Sequence, residues 1–314
     1  MGRPPAGRVR GLTPARDTLS PLNQTAEIRG VITAMATPFD EVGRVDEAVA
    51  RRLARHLVEN GSHGIVVAGT TGECPTLSDE ETLSLLRAVI DEVAGDAFVI
   101  CGTGTNDTRH SCEMTRAAAD AGADAALVVT PYYNKPNEAG LRAHFETIAA
   151  AAPSLLIVLY NIPSRVVINM APAFLAELAR IDNVVAVKQA NNADLGLVEG
   201  LDLLAGNDGV FLRTLELGGA GGILVASQIL GPRMREIWDA FEAGDAERAR
   251  EVDAALVPVY EALSVNNPIP VKAGLDILGL ASDRVRLPLV AADPVQRETV
   301  RAALESAGVA VAAG

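Results

Sequence analysis

The sequence predicts an α/β protein, a (β/α)8 TIM barrel with a C-terminal helical extension, and three observations carry that prediction. Short runs rich in Val, Ile, Leu and Ala recur eight times, stretches with helical spacing lie between them, and polar residues crowd the segments that follow the runs. Strands joined by helical crossovers pair in parallel, and eight such units close into a barrel whose catalytic face is built from the loops after the strands.

The apolar runs fall at residues 31–36, 64–68, 97–101, 125–129, 155–160, 184–188, 202–205 and 222–226. They are continuous rather than alternating, as burial on both faces requires. Between them Ala48, Leu53 and Leu57, then Leu83, Leu86, Val89, Ile90 and Val93, recur at helix period. A doubly wound open sheet is the competing arrangement, but ATPFDEVGRVD follows the first run where a glycine-rich dinucleotide fingerprint would stand. Helical patterns at 232–243, 245–264, 269–279 and 294–307 follow the last run. The expected organisation is a tail over residues 1–27, a barrel over 28–230, and the eighth barrel helix with the extension over 231–314.

The tail has Arg3, Arg8, Arg10 and Arg16 with no acid before Asp17, and Pro4, Pro5, Pro14 and Pro21. It lacks the apolar core of a secretory signal, and its prolines oppose an amphipathic transit helix, so disorder is expected. The chain of 314 residues is 49% apolar and 21% charged, enough to bury a large core. Its net charge of −13 opposes binding to nucleic acid or to an anionic membrane surface. No run approaches the ~20 apolar residues of a membrane span. Cys74, Cys101 and Cys112 show no metal-ligand spacing and read as free thiols of a cytoplasmic protein.

The segments after the runs offer Gly69-Thr70-Thr71-Gly72-Glu73, Thr130-Pro131-Tyr132-Tyr133-Asn134 and Gly206-Asn207-Asp208, while the fifth strand ends in Tyr160-Asn161, the sixth carries Lys188 and the eighth carries Ser227-Gln228. His56, His63, His110 and His144 fall on helices or before strands, which leaves a Ser/His/Asp triad or a histidine metal site without its base or ligand. A lysine nucleophile remains. A neutral amine condenses with a carbonyl, and the protonated imine withdraws electrons from the neighbouring carbon. Val184, Val185, Ala186 and Val187 precede Lys188, and burial among such residues disfavours the ammonium form. Tyr160 and Tyr133 are candidate proton carriers, with Thr70 as a connecting hydroxyl. Thr71 and the loop amides suit a carboxylate, and Arg165 has the fork geometry for a second one. Each residue also has a plainer reading: a lysine that snorkels from a strand end, tyrosines packed at a rim, threonines that cap the helix starting near Ser78, and a solvated arginine.

As a set, GTTGE at 69–73, PYYNKP at 131–136, YNIPSR at 160–165, VKQA at 187–190 and NPIPVKAGL at 267–275 resemble the dihydrodipicolinate synthase and N-acetylneuraminate lyase family of class I aldolase-type barrels. The resemblance spans about residues 30–308 in order and spacing. It implies that Lys188 forms a Schiff base with pyruvate. Tyr160 would be the central proton relay, hydrogen-bonded to Thr70, with Tyr133 completing the relay across a subunit interface of a homotetramer. Thr71 would hold the pyruvate carboxylate, Arg165 the carboxylate of the incoming aldehyde, and the backbone of Gly206 and Ile223 would line the pocket. No metal or organic cofactor is implied.

Arg165, the paired threonines and RLPL at 286–289 resemble the branch that condenses pyruvate with L-aspartate 4-semialdehyde to 4-hydroxy-tetrahydrodipicolinate, on the diaminopimelate route to lysine. Gln189 replaces a frequent Glu, Val166-Val167 a more usual Thr-Gly, and the segment from Lys188 to Gly206 is short. Gln189 and Val167 favour the alternative of another pyruvate aldolase, acting on a sugar acid or aromatic aldehyde. A third reading, a non-catalytic barrel that binds a keto acid, is opposed by intact Lys188, Tyr160, Thr70 and Tyr133. Asp79, Thr82 and His110 stand where lysine-sensitive members carry other residues, which implies weak lysine feedback.

Overall fold

A computed structural model describes residues 28–311. The expectation for residues 1–27 lies outside them. Parallel strands β1 (Gly30–Ala34), β2 (Gly64–Val67), β3 (Phe98–Gly102), β4 (Ala125–Val129), β5 (Leu156–Asn161), β6 (Val184–Gln189), β7 (Asp202–Ala205) and β8 (Gly221–Leu224) close a barrel in sequence order, with β8 paired to β1. Helices α1 (Glu47–Glu59), α2 (Asp79–Val93), α3 (Thr108–Asp120), α4 (Glu138–Ala151), the short α5 (Pro163–Val166), α6 (Pro172–Leu178) and α7 (Phe211–Glu216) run between strands. α8 (Ser227–Glu242), α9 (Ala246–Leu263), α10 (Ile269–Ile277) and α11 (Pro294–Ser306) follow the last strand.

The expected alternation fails at one step. β6 and β7 are joined by a 3-10 turn at Asn192–Asp194 and an isolated bridge between Val198 and Leu201, with no α-helix. Asn191, Asn192, Asp194 and Gly196 crowd that connection, and such residues favour turns over helix. A second difference concerns Ser227 and Gln228. They begin α8 rather than ending the eighth strand, and both are buried: the Ser227 hydroxyl accepts from Thr33, and Gln228 accepts the Ala36 amide. α8 breaks at Leu230 (φ −123°, ψ 22°), just before Pro232, whose ring cannot continue the hydrogen-bond ladder.

Two apolar layers hold the barrel. Inside it Ile32, Val66, Ile100, Val158, Ala186, Leu204 and Ile223 form one cluster, while Val31, Ile65, Val99, Ile157 and Val187 join the larger cluster beneath the helices. Successive strand side chains thus alternate between two buried faces, which is why the runs are apolar throughout. On the outer layer α1 buries Ala50, Leu53, Ala54 and Leu57, and each such leucine contributes about 2 kcal/mol on burial. Asp46 caps α1, and Ser78 with Glu81 forms a capping box on α2.

His144 is a buried titrating group of this outer layer. It is 4% exposed on α4; Nδ1 pairs with the Thr108 hydroxyl at 2.9 Å, and Nε2 has no protein partner. Burial lowers its pKa from 6.5 to about 4. The unfolded chain therefore takes up this proton first as pH falls, so stability is lost between pH 6.5 and about 4. The loss should reach up to about 3 kcal/mol near the lower end. Thermal melts across that range should show the decline in the native chain and a shallower one in His144→Gln; parallel curves would exclude His144 as the cause.

Candidate active site

Strand register brings the two central residues together. Tyr160 on β5 is the ladder partner of Lys188 on β6, and each shares a face with the barrel-interior residues two positions earlier, Val158 and Ala186. Both side chains therefore enter the top of the barrel interior. Tyr160 is 4% and Lys188 5% exposed, and the Lys188 ammonium nitrogen lies 4.3 Å from the Tyr160 ring centroid. The plain reading of Lys188 as a lysine snorkelling to water is ruled out by this burial.

Gln189, the next residue, is on the opposite face. It is buried, and its Oε1 accepts from Asn161 Nδ2 at 3.0 Å and from the Asn191 amide at 3.0 Å. It braces the ends of β5 and β6 and lies away from the Lys188 face, so its difference from Glu carries no direct contact with a substrate beside Lys188.

The loop after β2 forms the second wall. Ala68 and Glu73 take left-handed conformations at φ 52° and 56°, reversing the chain around Thr70 and Thr71. Gly72 is confined because an added Cβ would meet Met35 O and the Ala68 backbone at 3.2 Å. Thr71 is 2% exposed and Thr70 half-buried. Neither caps α2, whose N-cap is Ser78. The expected hydrogen bond between Thr70 and Tyr160 is not formed: among the described residues neither hydroxyl has a hydrogen-bond partner. The Thr71 hydroxyl accepts instead from Asn267 Nδ2 at 3.0 Å.

Asn267 comes from the segment before α10, and its backbone carbonyl accepts from Arg165 at 3.1 Å. One residue of the extension thus ties together the two side chains expected to bind carboxylates. NPIPVKAGL marked this segment in the sequence, but nothing local showed which side chains it would meet. Arg165 is exposed on α5.

Gly206 directly follows β7, and Ile223 lies on β8. The Gly206 amide donates to the Gln189 carbonyl at 2.8 Å, and a Cβ there would lie 2.7 Å from Ala190 N, so the close approach of β6 and β7 requires glycine. Ile223 is fully buried on β8. Asp208, two residues past Gly206, accepts the Val225 and Ala226 amides at 2.8 and 3.0 Å. Burial raises its pKa, opposed by those two amides and by the nearby Lys188 charge.

Tyr133 is not brought to this site. It is 88% exposed at φ 73°, clear of Lys188 and Tyr160. Tyr132 beside it lines a small cavity with Asp79, Thr82 and His110, where His110 Nε2 pairs with Asp79 at 2.8 Å. Among the described residues no group of three or more His, Cys, Asp or Glu side chains is arranged to hold a metal ion.

The model of the dihydrodipicolinate synthetase family matches residues 27–307. The chain belongs to this family. It is 49% identical over 267 residues to the 4-hydroxy-tetrahydrodipicolinate synthase of Parasynechococcus marenigrum, covering 82% of this chain and 88% of that one. The synthase of Symbiobacterium thermophilum is 47% identical over 287 residues, covering 89% and 98%. Among solved structures, the dihydrodipicolinate synthase of Cyanidioschyzon merolae with lysine bound is 41% identical at a TM-score of 0.87, covering 90% of this chain and 99% of its own. That of Acinetobacter baumannii complexed with pyruvate is 36% identical at a TM-score of 0.87, covering 90% and 100%.

Val167 carries backbone strain. It is β-branched, 67% exposed and left-handed at φ 71°, two residues past Arg165. Such backbone strain costs about 1–3 kcal/mol. Val167→Gly should therefore stabilise the fold by roughly 1 kcal/mol after the entropy cost of glycine, raising the melting temperature by about 2 °C. An unchanged or lower midpoint would show that the loop relieves the strain by other means.

Proposed function

We propose that this member of the dihydrodipicolinate synthase family condenses pyruvate with L-aspartate 4-semialdehyde through an imine on Lys188, giving 4-hydroxy-tetrahydrodipicolinate. The observation that carries the reading is the buried lysine in ladder register with a buried tyrosine, a pairing that suits amine attack with proton transfer alongside. The Lys188 amine adds to the keto carbon of pyruvate, and the oxygen leaves as water. Loss of a methyl proton gives the enamine, whose terminal carbon attacks the aldehyde carbon. The amino group of the aldehyde-derived half then attacks the imine carbon, closing the ring and releasing Lys188.

In this scheme Tyr160 carries the protons and Thr70 turns to it when substrate is bound. Thr71 holds the pyruvate carboxylate, Arg165 the aldehyde's, and the backbone of Gly206 and Ile223 bounds the pocket. The protonated imine serves as the electron sink, so the chemistry asks for no metal or organic cofactor. Tyr133 projects from its own barrel, which supports a role in a neighbouring subunit of a homotetramer. No described helix is long and apolar enough to cross a membrane, and a cytoplasmic location fits pyruvate as substrate. The barrel of residues 28–230 and the helical remainder are proposed as one catalytic unit.

Borohydride reduction with pyruvate tests the imine: the mass of a reduced pyruvyl adduct should appear on Lys188. A coupled assay comparing aspartate semialdehyde with N-acetylmannosamine tests the aldehyde. Turnover of the sugar alone would overturn the synthase reading and leave the pyruvate half standing.

A further inference from the structure

The Gly69–Glu73 loop is held at three successive residues. Asn267 reaches Thr71, the Thr37 hydroxyl donates to the Gly72 carbonyl at 2.6 Å, and Glu73 enters a buried ion pair with Lys272 of α10. The Glu73 and Lys272 side chains are each 1% exposed, with Nζ 2.6 Å from Glu73 Oε1. The second carboxylate oxygen accepts the Arg286 amide at 2.9 Å. Lys272 also donates to the Arg284 carbonyl at 2.5 Å, and its ammonium lies 4.2 Å from the centroid of the Phe39 ring. Every charge in the cluster is met, although burying it costs desolvation that an apolar pair of similar volume would avoid. A pair of this kind is a poor route to stability, and its effect on geometry is the better account. Glu73 lies two residues from Thr71 and three from Thr70, at a left-handed position that leaves the loop little freedom once the carboxylate is anchored.

We propose that Glu73 and Lys272 are positioning residues for the pyruvate half of the reaction: their pairing docks the loop on α10 and sets where the Thr70 and Thr71 hydroxyls stand relative to Lys188. The inference rests on the roles proposed above for Lys188 and Thr71. Neither member touches pyruvate in this scheme. Breaking the pair lets the loop drift, and a carboxylate subsite displaced by a fraction of an ångström to an ångström binds pyruvate in poor alignment with the amine.

The readout is the pyruvate concentration that half-saturates borohydride labelling of Lys188, measured beside the KM for aspartate semialdehyde in the full chain. Lys272→Met should raise the first by about tenfold or more and leave the second within about twofold. Lys272→Met strands a buried carboxylate and risks unfolding, so Glu73→Gln/Lys272→Met carries the test independently. The double variant removes both charges: its melting temperature should return toward the native value while half-saturation stays raised. Native half-saturation in a folded variant, or an equal rise in both constants, would overturn the inference. Absence of labelling in the unmodified chain would instead overturn the functional reading.

Discussion

Lys188→Met should lose both condensation and pyruvate labelling while the fold survives. Methionine matches the length and volume of the lysine stem, and the site it enters is lined by Tyr160, Ala186 and other barrel-interior residues. Removing a buried amine in favour of an apolar group is neutral or favourable to folding. The chemical step has no substitute, because among the described residues the other buried lysine, Lys272, is committed to Glu73. The rate should fall by ~10³-fold or more, as for other removed nucleophiles. Steady-state assay, mass analysis after borohydride and a thermal melt decide it together. Retained labelling at another residue would mean that Lys188 is not the nucleophile.

Tyr160→Phe should lower kcat by about 10²–10⁴-fold, the range for loss of a positioned proton carrier. The ring that faces the lysine nitrogen at 4.3 Å is kept, so packing and the approach of Lys188 persist. Only the hydroxyl goes, and it has no hydrogen bond to forfeit. Melting temperature should hardly move, and labelled Lys188 should still accumulate, but slowly. A kcat within about threefold of the native value would assign proton transfer elsewhere, since an effective general acid is worth far more.

Much of this was legible from the chain, and the exceptions share a cause. The eight strands were readable because a strand buried on both faces is apolar at every position, a signal contained within each segment. The four helices after the barrel were readable from their apolar period and lie within a few residues of expectation; the pattern at 245–264 is α9, Ala246–Leu263. The missing helix between β6 and β7 was foreshadowed by the brevity of the segment from Lys188 to Gly206, but the alternating pattern around it masked the signal. Ser227 and Gln228 were misplaced because a β8 run passes into α8 with only two residues between, leaving no break to read.

Lys188 and Tyr160 were marked as strand-end residues, yet that they are register neighbours depends on how eight strands close. Asn267 with Thr71, and Lys272 with Glu73, join positions 196 and 199 residues apart. No periodicity or local spacing carries such a pair. Gln189 was the converse case: its identity invited a specificity argument, and the alternation of the strand places it on the far face, where it steadies Asn161.

The contact between Glu73 and Lys272 also has a consequence in time. During synthesis all eight strands have emerged once Leu224 has left the ribosome, and no strand pairing of the barrel involves a later residue. The partner of Glu73 follows 48 positions after Leu224, and the amide of Arg286 that meets its other oxygen comes later still. The strand pairings that set Lys188 beside Tyr160 are thus complete in sequence before the contacts that Asn267 and Lys272 make with Thr71 and Glu73, so on the roles proposed above the final placement of the threonine loop waits for one of the last helices to be made.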